Sequence, residues 1–259
     1  MTAHSPDTAL DAIRREIDLI DDEILDLLGR RFAATRRVKA TKAIDGSIAS
    51  SPFRPAREAA MLRRLLARGG AAVSPDVLVR LWRVILSAST QLQAQVTLHL
   101  DQALDGDLVT RLLIGEHFCS MQVEVHATAS RALDAIRTRK GDLAIANVNS
   151  DWAENFAPED KASARVIGTL PAICSGRQPL LLVFGHAEPQ ESGDDETLIL
   201  SRGDSPELAS ALWQAAIGRF TLTSLPGFLS EASLLRDPLS RLPGARIAGR
   251  CPRPIKVST

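Results

Sequence analysis

Apolar residues recur along the first forty positions in alternating steps of three and four: Leu10, Ile13, Ile17, Ile20, Ile24, Leu27, Leu28 and Phe32. That period predicts an amphipathic helix. Ser5-Pro6-Asp7 supplies a cap, a proline at the first helical position and an acid in the first turn. No proline follows before Pro52. The expected helix, about Asp7 to Ala43, would be ~55 Å long at 1.5 Å per residue. A compact domain of this size is roughly 30 Å across. The stripe must therefore pack on another long helix, most economically its copy in a second subunit, so a homodimer is expected. A second helix is expected from Pro55 to Gly69-Gly70, and a third from Ser74-Pro75-Asp76 to about Leu98.

Beyond Asp101 the pattern is mixed. Leu108–Ile114, Gln122–His126, Leu143–Val148, Leu180–Phe184 and Thr197–Ser201 read as strands, and Ser130–Arg139 and Pro206–Ile217 as helices. The polar stretch Glu188–Glu196 reads as a linker. The expected fold class is an all-α N-terminal domain of three helices, forming an intertwined dimer, followed by a smaller α/β C-terminal region. The expected divisions are 1–101, 105–187 and 195–259.

Charge changes this picture little. The chain has 31 basic and 31 acidic side chains, so no global field argues for nucleic acid or membrane. Residues 1–100 carry 15 basic against 11 acidic side chains, a mild excess that suits an anionic ligand. Cys119, Cys174 and Cys251 are too scattered for a disulfide framework or a zinc site. Neither a signal pattern nor a membrane-length apolar run is present, and a cytoplasmic protein is expected. His117, His126 and His186 show no metal or catalytic spacing, so no metal is expected.

The candidate chemistry lies in the helices. Eleven residues separate Arg31 from Lys42, three turns plus about 20°, so both occupy one face about 16 Å apart. Arg14 stands 17 residues before Arg31 and is turned roughly 100° off that face. It suits the pocket of a neighbouring subunit better than that of its own helix. Arg57-Glu58 opens the second helix, and Ser89 and Gln93 stand one turn apart on the third. Fixed cations with a hydroxyl and an amide make a box suited to a small dianion.

Ile13-Arg14-Arg15-Glu16-Ile17-Asp18-Leu19-Ile20-Asp21, Leu27-Leu28-Gly29-Arg30-Arg31 and Lys42 resemble the first helix of the all-helical chorismate mutases. Phe53-Arg54-Pro55-Ala56-Arg57-Glu58-Ala59 resembles their second helix, and Ile85–Gln93 their third. The resemblance implies the pericyclic rearrangement of chorismate to prephenate, with no cofactor. It also implies roles. Arg31 and the Arg14 of a second subunit would clamp the two carboxylates, guanidinium forks being matched to them. Lys42 and Gln93 would donate to the breaking ether oxygen, with Lys42, Gln93 and Arg31 the catalytic groups. Glu58 would accept from the substrate hydroxyl, Arg57 would support the site and Ser89 would touch a carboxylate. Some members carry an acid where Arg54 stands, which leaves no substrate role for it.

In bifunctional relatives a prephenate dehydratase domain and an ACT domain follow the mutase domain. Ser130–Ile136 and Lys140–Ser150 look like part of that dehydratase, and Gly249–Ile255 is similar to the end of the ACT domain. The Thr-Arg-Phe signature is replaced by Arg177-Gln178-Pro179-Leu180, and the Glu-Ser-Arg-Pro element by Ser224-Leu225-Pro226-Gly227. A shortened, degenerate, non-catalytic appendage is therefore expected. The alternatives are a bifunctional mutase–dehydratase and a metabolite sensor on a mutase fold.

Overall fold

The computed structural model describes residues 6–44, 52–69, 72–119, 121–154, 156, 163–174, 179–203, 208–236 and 238–256. The chain divides into two compact units, Met1–Ile48 and Ala49–Thr259.

The first unit contains one helix, α1 (Pro6–Ile44), unbroken over 39 residues as the periodicity predicts. Its apolar stripe of Leu10, Ile13, Ile17, Ile20, Ile24 and Leu27 lies between 46% and 56% exposed.

The second unit begins with α2 (Pro55–Gly69) and α3 (Pro75–Gln93). Ser74 caps α3, its side chain accepting from Val77 N as the Ser-Pro-Asp signal predicts. The helix ends at Gln93 rather than near Leu98. Val96, Leu98 and Leu100 are all buried, and strand β1 runs from Thr97 to Asp101. Their every-second-residue spacing overrides helical continuation.

The C-terminal region is larger than the small α/β region expected. It holds a nine-stranded mixed sheet in the order β2-β1-β3-β6-β4-β10-β7-β9-β8. The strands are β1, β2 (Gln122–His126), β3 (Leu143–Asn147), β4 (Arg165–Leu170), β6 (Leu181–Gly185), β7 (Asp195–Arg202), β8 (Trp213–Ile217), β9 (Phe220–Pro226) and β10 (Arg246–Pro252). A second, two-stranded sheet pairs β5 (Ile173–Cys174) with β11 (Ile255–Lys256). The stretches 105–187 and 195–259 both contribute to the large sheet, β10 lying between β4 and β7. The segment Glu188–Glu196 joins β6 to β7, its last two residues already in β7.

Alternation builds the two faces of this sheet. Ala144, Ala146, Leu182 and Phe184 pack in one cluster with Ala129, Ala132 and Ile136 of α6 (Ala129–Ile136). Leu143, Ile145, Leu181 and Val183 pack in the other with Leu104 of α4 (Gln102–Gly106) and Ile114 of α5 (Leu108–His117). Both faces are covered, which explains the nearly continuous apolar runs of β3 and β6.

Two expected elements differ in type. Leu108–Ile114 is helix, not strand. Asp107 caps it, accepting from Thr110 N, and Thr110 and Ile114 are buried one turn apart. Pro206–Ile217, read as helix, ends instead in strand β8. A two-residue turn, Gly218-Arg219, returns β8 to β9, with Gly218 at φ +55°. Residues 204–207 lie outside the described set.

Candidate functional site

On the first unit, α1 carries three of the expected site residues. Arg14 is exposed and pairs with Asp11 at 3.2 Å. Arg31 is partly buried, and its carbonyl accepts from Thr35 Oγ1 at 3.2 Å. Lys42 lies within the helix, and its side chain is outside the described residues. Because the helix is continuous, the angular spacing of the three along it holds.

On the second unit, α2 and α3 pack together around a buried ion pair. Glu58, in the first turn of α2, is 8% exposed. Arg83 Nη1 of α3 donates to Glu58 Oε2 at 2.9 Å. Glu58 N also donates to Arg54 O at 3.0 Å, the first turn of the helix. Burial raises the Glu58 carboxyl above its ordinary value, and Arg83 opposes that rise. Burial likewise lowers Arg83, against the pull of Glu58. The guanidinium ordinarily loses its proton only far above neutrality, so we regard it as charged. Arg83 Nε is buried with no hydrogen-bond partner among the described residues. His117, at the end of α5, is held well below its ordinary value, by burial first and by Arg83 second. Arg83 and His117 both line a cleft of about 200 Å³ with Arg80 and Glu116.

Ser89 and Gln93 stand one above the other on α3, as their spacing predicts. Ser89 is buried, and its hydroxyl donates to Ile85 O at 2.7 Å. Gln93 Nε2 donates to Ser89 O at 3.2 Å. An amide has two N–H groups, so Gln93 keeps one to offer a ligand. The Ser89 proton is spent on the helix, and contact with an anion requires the hydroxyl to turn. Arg57, one residue before Glu58, is exposed.

Sequence reasoning missed Arg83 as the partner of Glu58. The signal was there: a lone basic residue one turn after Val79 on the buried side of α3 needs a counter-charge.

Residues 13–94 match the family model for chorismate mutase type II. The match takes in α1 from its third turn, all of α2 and all of α3. No curated protein matches the chain. Among solved structures it is similar to one described as "GqqA- a novel type of quorum quenching acylases", at 12% identity and a TM-score of 0.37. That alignment covers 60% of this chain and 94% of the other. Among the described residues, no helix is long and apolar enough to cross a membrane.

Proposed function

We propose that this chain is a chorismate mutase, rearranging chorismate to prephenate in aromatic amino-acid biosynthesis. One observation carries the reading: the matched segment, residues 13–94, contains Arg14, Arg31, Lys42, Arg57, Glu58, Ser89 and Gln93. The reaction breaks one C–O bond as it forms one C–C bond, with no net proton transfer. Catalysis then rests on holding the substrate in its folded shape and on fixed charge around the breaking bond.

Arg31 and the Arg14 of a second subunit would clamp the two carboxylates. Lys42 and the remaining Gln93 N–H would stabilise the ether oxygen as negative charge develops there. Glu58 would accept from the substrate hydroxyl, sharing its carboxylate with Arg83, while Arg57 supports the site. The exposed stripe of α1 supports the dimer, since each of its Leu and Ile side chains gains about 1.5–3 kcal/mol on full burial. Residues 102–259 would form a non-catalytic appendage, a shortened relative of the dehydratase and ACT regions.

Arg31→Ala and Lys42→Ala should each abolish turnover while helicity is kept, measured by chorismate loss and circular dichroism. Normal turnover in either variant overturns the site assignment. Mixing Arg14→Ala with Arg31→Ala protein should restore part of the activity, because one site in each heterodimer is then intact. Absence of recovery in a verified heterodimer overturns the shared site.

A further inference from the structure

The strands β1 and β2 pair in parallel, with His99 opposite Glu124 and Asp101 opposite His126. Register partners share a face, and so do residues two apart on one strand. His99, Glu124 and His126 therefore point the same way, and their ligating atoms lie within 4.8 Å of one another. Among the described residues this is the one group of three potential metal ligands so close together.

His99 Nδ1 stands 2.9 Å from His126 Nε2. Glu124 Oε1 is 3.7 Å from His126 Nε2, and Oε2 is 4.0 Å from His99 Nδ1. Zinc bonds of ~2.0–2.1 Å in tetrahedral geometry put neighbouring ligand atoms about 3.3–3.4 Å apart. The two nitrogens need to separate by about half an ångström, and the carboxylate to close by a similar amount. The second strand is the edge of the sheet, so it can move at small cost.

Groups behind the ligands already orient them. His99 Nε2 lies 3.3 Å from Asp142 Oδ2, and Asp142 is itself fixed by Thr97 N donating to its Oδ1 at 3.0 Å. A proton on His99 Nε2, shared with Asp142, leaves the Nδ1 lone pair facing the centre of the group. This carboxylate–imidazole pairing is the usual support of a metal-bound histidine. Arg139 Nη1 donates to Glu124 Oε2 at 2.7 Å, leaving Oε1 to turn inward. His99 is fully buried, His126 mostly so and Glu124 about half exposed. The group is therefore anchored inside and open to solvent at one corner.

We propose that His99, His126 and Glu124 form a three-ligand site for a borderline divalent cation, zinc foremost, with one coordination position open to water. Two imidazoles and one carboxylate are the donor set that zinc shares with cobalt, whereas magnesium prefers oxygen ligands. On binding, His126 shifts its proton from Nε2 to Nδ1, and the metal replaces the His99–His126 hydrogen bond. Asp142 is a positioning residue.

The test uses the full chain, stripped with a chelator and titrated with Zn²⁺ and, separately, Co²⁺. The expected result is one ion per chain, a raised melting temperature and visible cobalt absorption of low-symmetry coordination. His126→Gln should weaken zinc binding by roughly 100-fold or more, and Asp142→Asn by about 10–100-fold. Glu124 is half exposed, so Glu124→Gln folds and decides the matter if His126→Gln does not; it too should lose the tight ion. Failure of the folded protein to bind either metal stoichiometrically overturns the site. So does zinc binding by folded His126→Gln or Glu124→Gln as tight as wild type. The readout is binding itself and is independent of any mutase activity.

Discussion

Replacing Arg83 with methionine probes the polar contact that fixes Glu58 between α2 and α3. The two side chains are 11% and 10% exposed and meet at 2.9 Å. At that exposure solvent screens them little, and unit charges ~4 Å apart at an effective dielectric near 20 attract by about 4 kcal/mol. Methionine fills much of the same space but leaves the carboxylate buried without its counter-charge. Removing one partner of such a pair costs about 3–5 kcal/mol, or about 6–20 °C at the ~2–4 °C per kcal/mol expected for a chain of this size. The loss should depend on pH. Burial already lifts Glu58 above its ordinary value, and Arg83 holds it down; without Arg83 it climbs further. A carboxyl raised by folding keeps its proton in the folded state after the unfolded state has released it. Stability is then full below the unfolded value and is lost as pH rises through the folded one. The deficit of Arg83→Met should thus be smallest near pH 4 and grow by about pH 7.5, on either side of that titration. Urea unfolding at both pH values measures it, with the Glu58→Gln/Arg83→Met double variant expected to regain part of the loss. A deficit below ~1 kcal/mol, or one equal at the two pH values, refutes the reasoning.

Glu196 offers a parallel case inside the large sheet. Burial raises it, while Ser224, Trp213 and Thr169 donate to it and hold it down in part. Wild-type stability should fall as pH rises above the ordinary carboxylate range, and Glu196→Gln should flatten that slope in thermal melts across pH. Gly249 faces Val166 across β10 and β4, and a Cβ there would meet the Val166 carbonyl oxygen at 2.0 Å. Gly249→Ala should cost about 1–3 kcal/mol or more through backbone displacement, against little effect for Gly141→Ala, where a Cβ meets nothing within 4 Å. Ile17→Glu with Ile24→Glu should turn a dimer into monomers in sedimentation, because charge on the α1 stripe cannot be buried; persistence of the dimer would sink the proposed interface.

Local physics decided which elements were legible. The first helix was readable to within a residue or so because its period runs unbroken for ten turns and a proline marks its start. Caps at Ser74 and the proline at Pro55 made α2 and α3 equally clear. Leu108–Ile114 misled because its aliphatic, β-branched composition outweighed a cap at Asp107 that is visible in sequence. Trp213–Ile217 misled in the opposite sense, its alanines favouring helix while a hairpin to β9 decided otherwise. The second unit's extent could not be read, since the order of nine strands depends on pairings such as β4 with β10, about eighty residues apart. Site residues on single helices, such as Ser89 and Gln93, were legible by spacing alone. Glu58 with Arg83 and His99 with His126 were not, because each pair is made by packing 25 or 27 residues apart.

The most direct test of the central claim is product identification after incubating purified full-length protein with chorismate alone. Prephenate should accumulate without added metal or cofactor, and Arg31→Ala protein should form none above the uncatalysed rate. Chorismate left unconverted beyond that rate by well-folded wild-type protein would contradict the account.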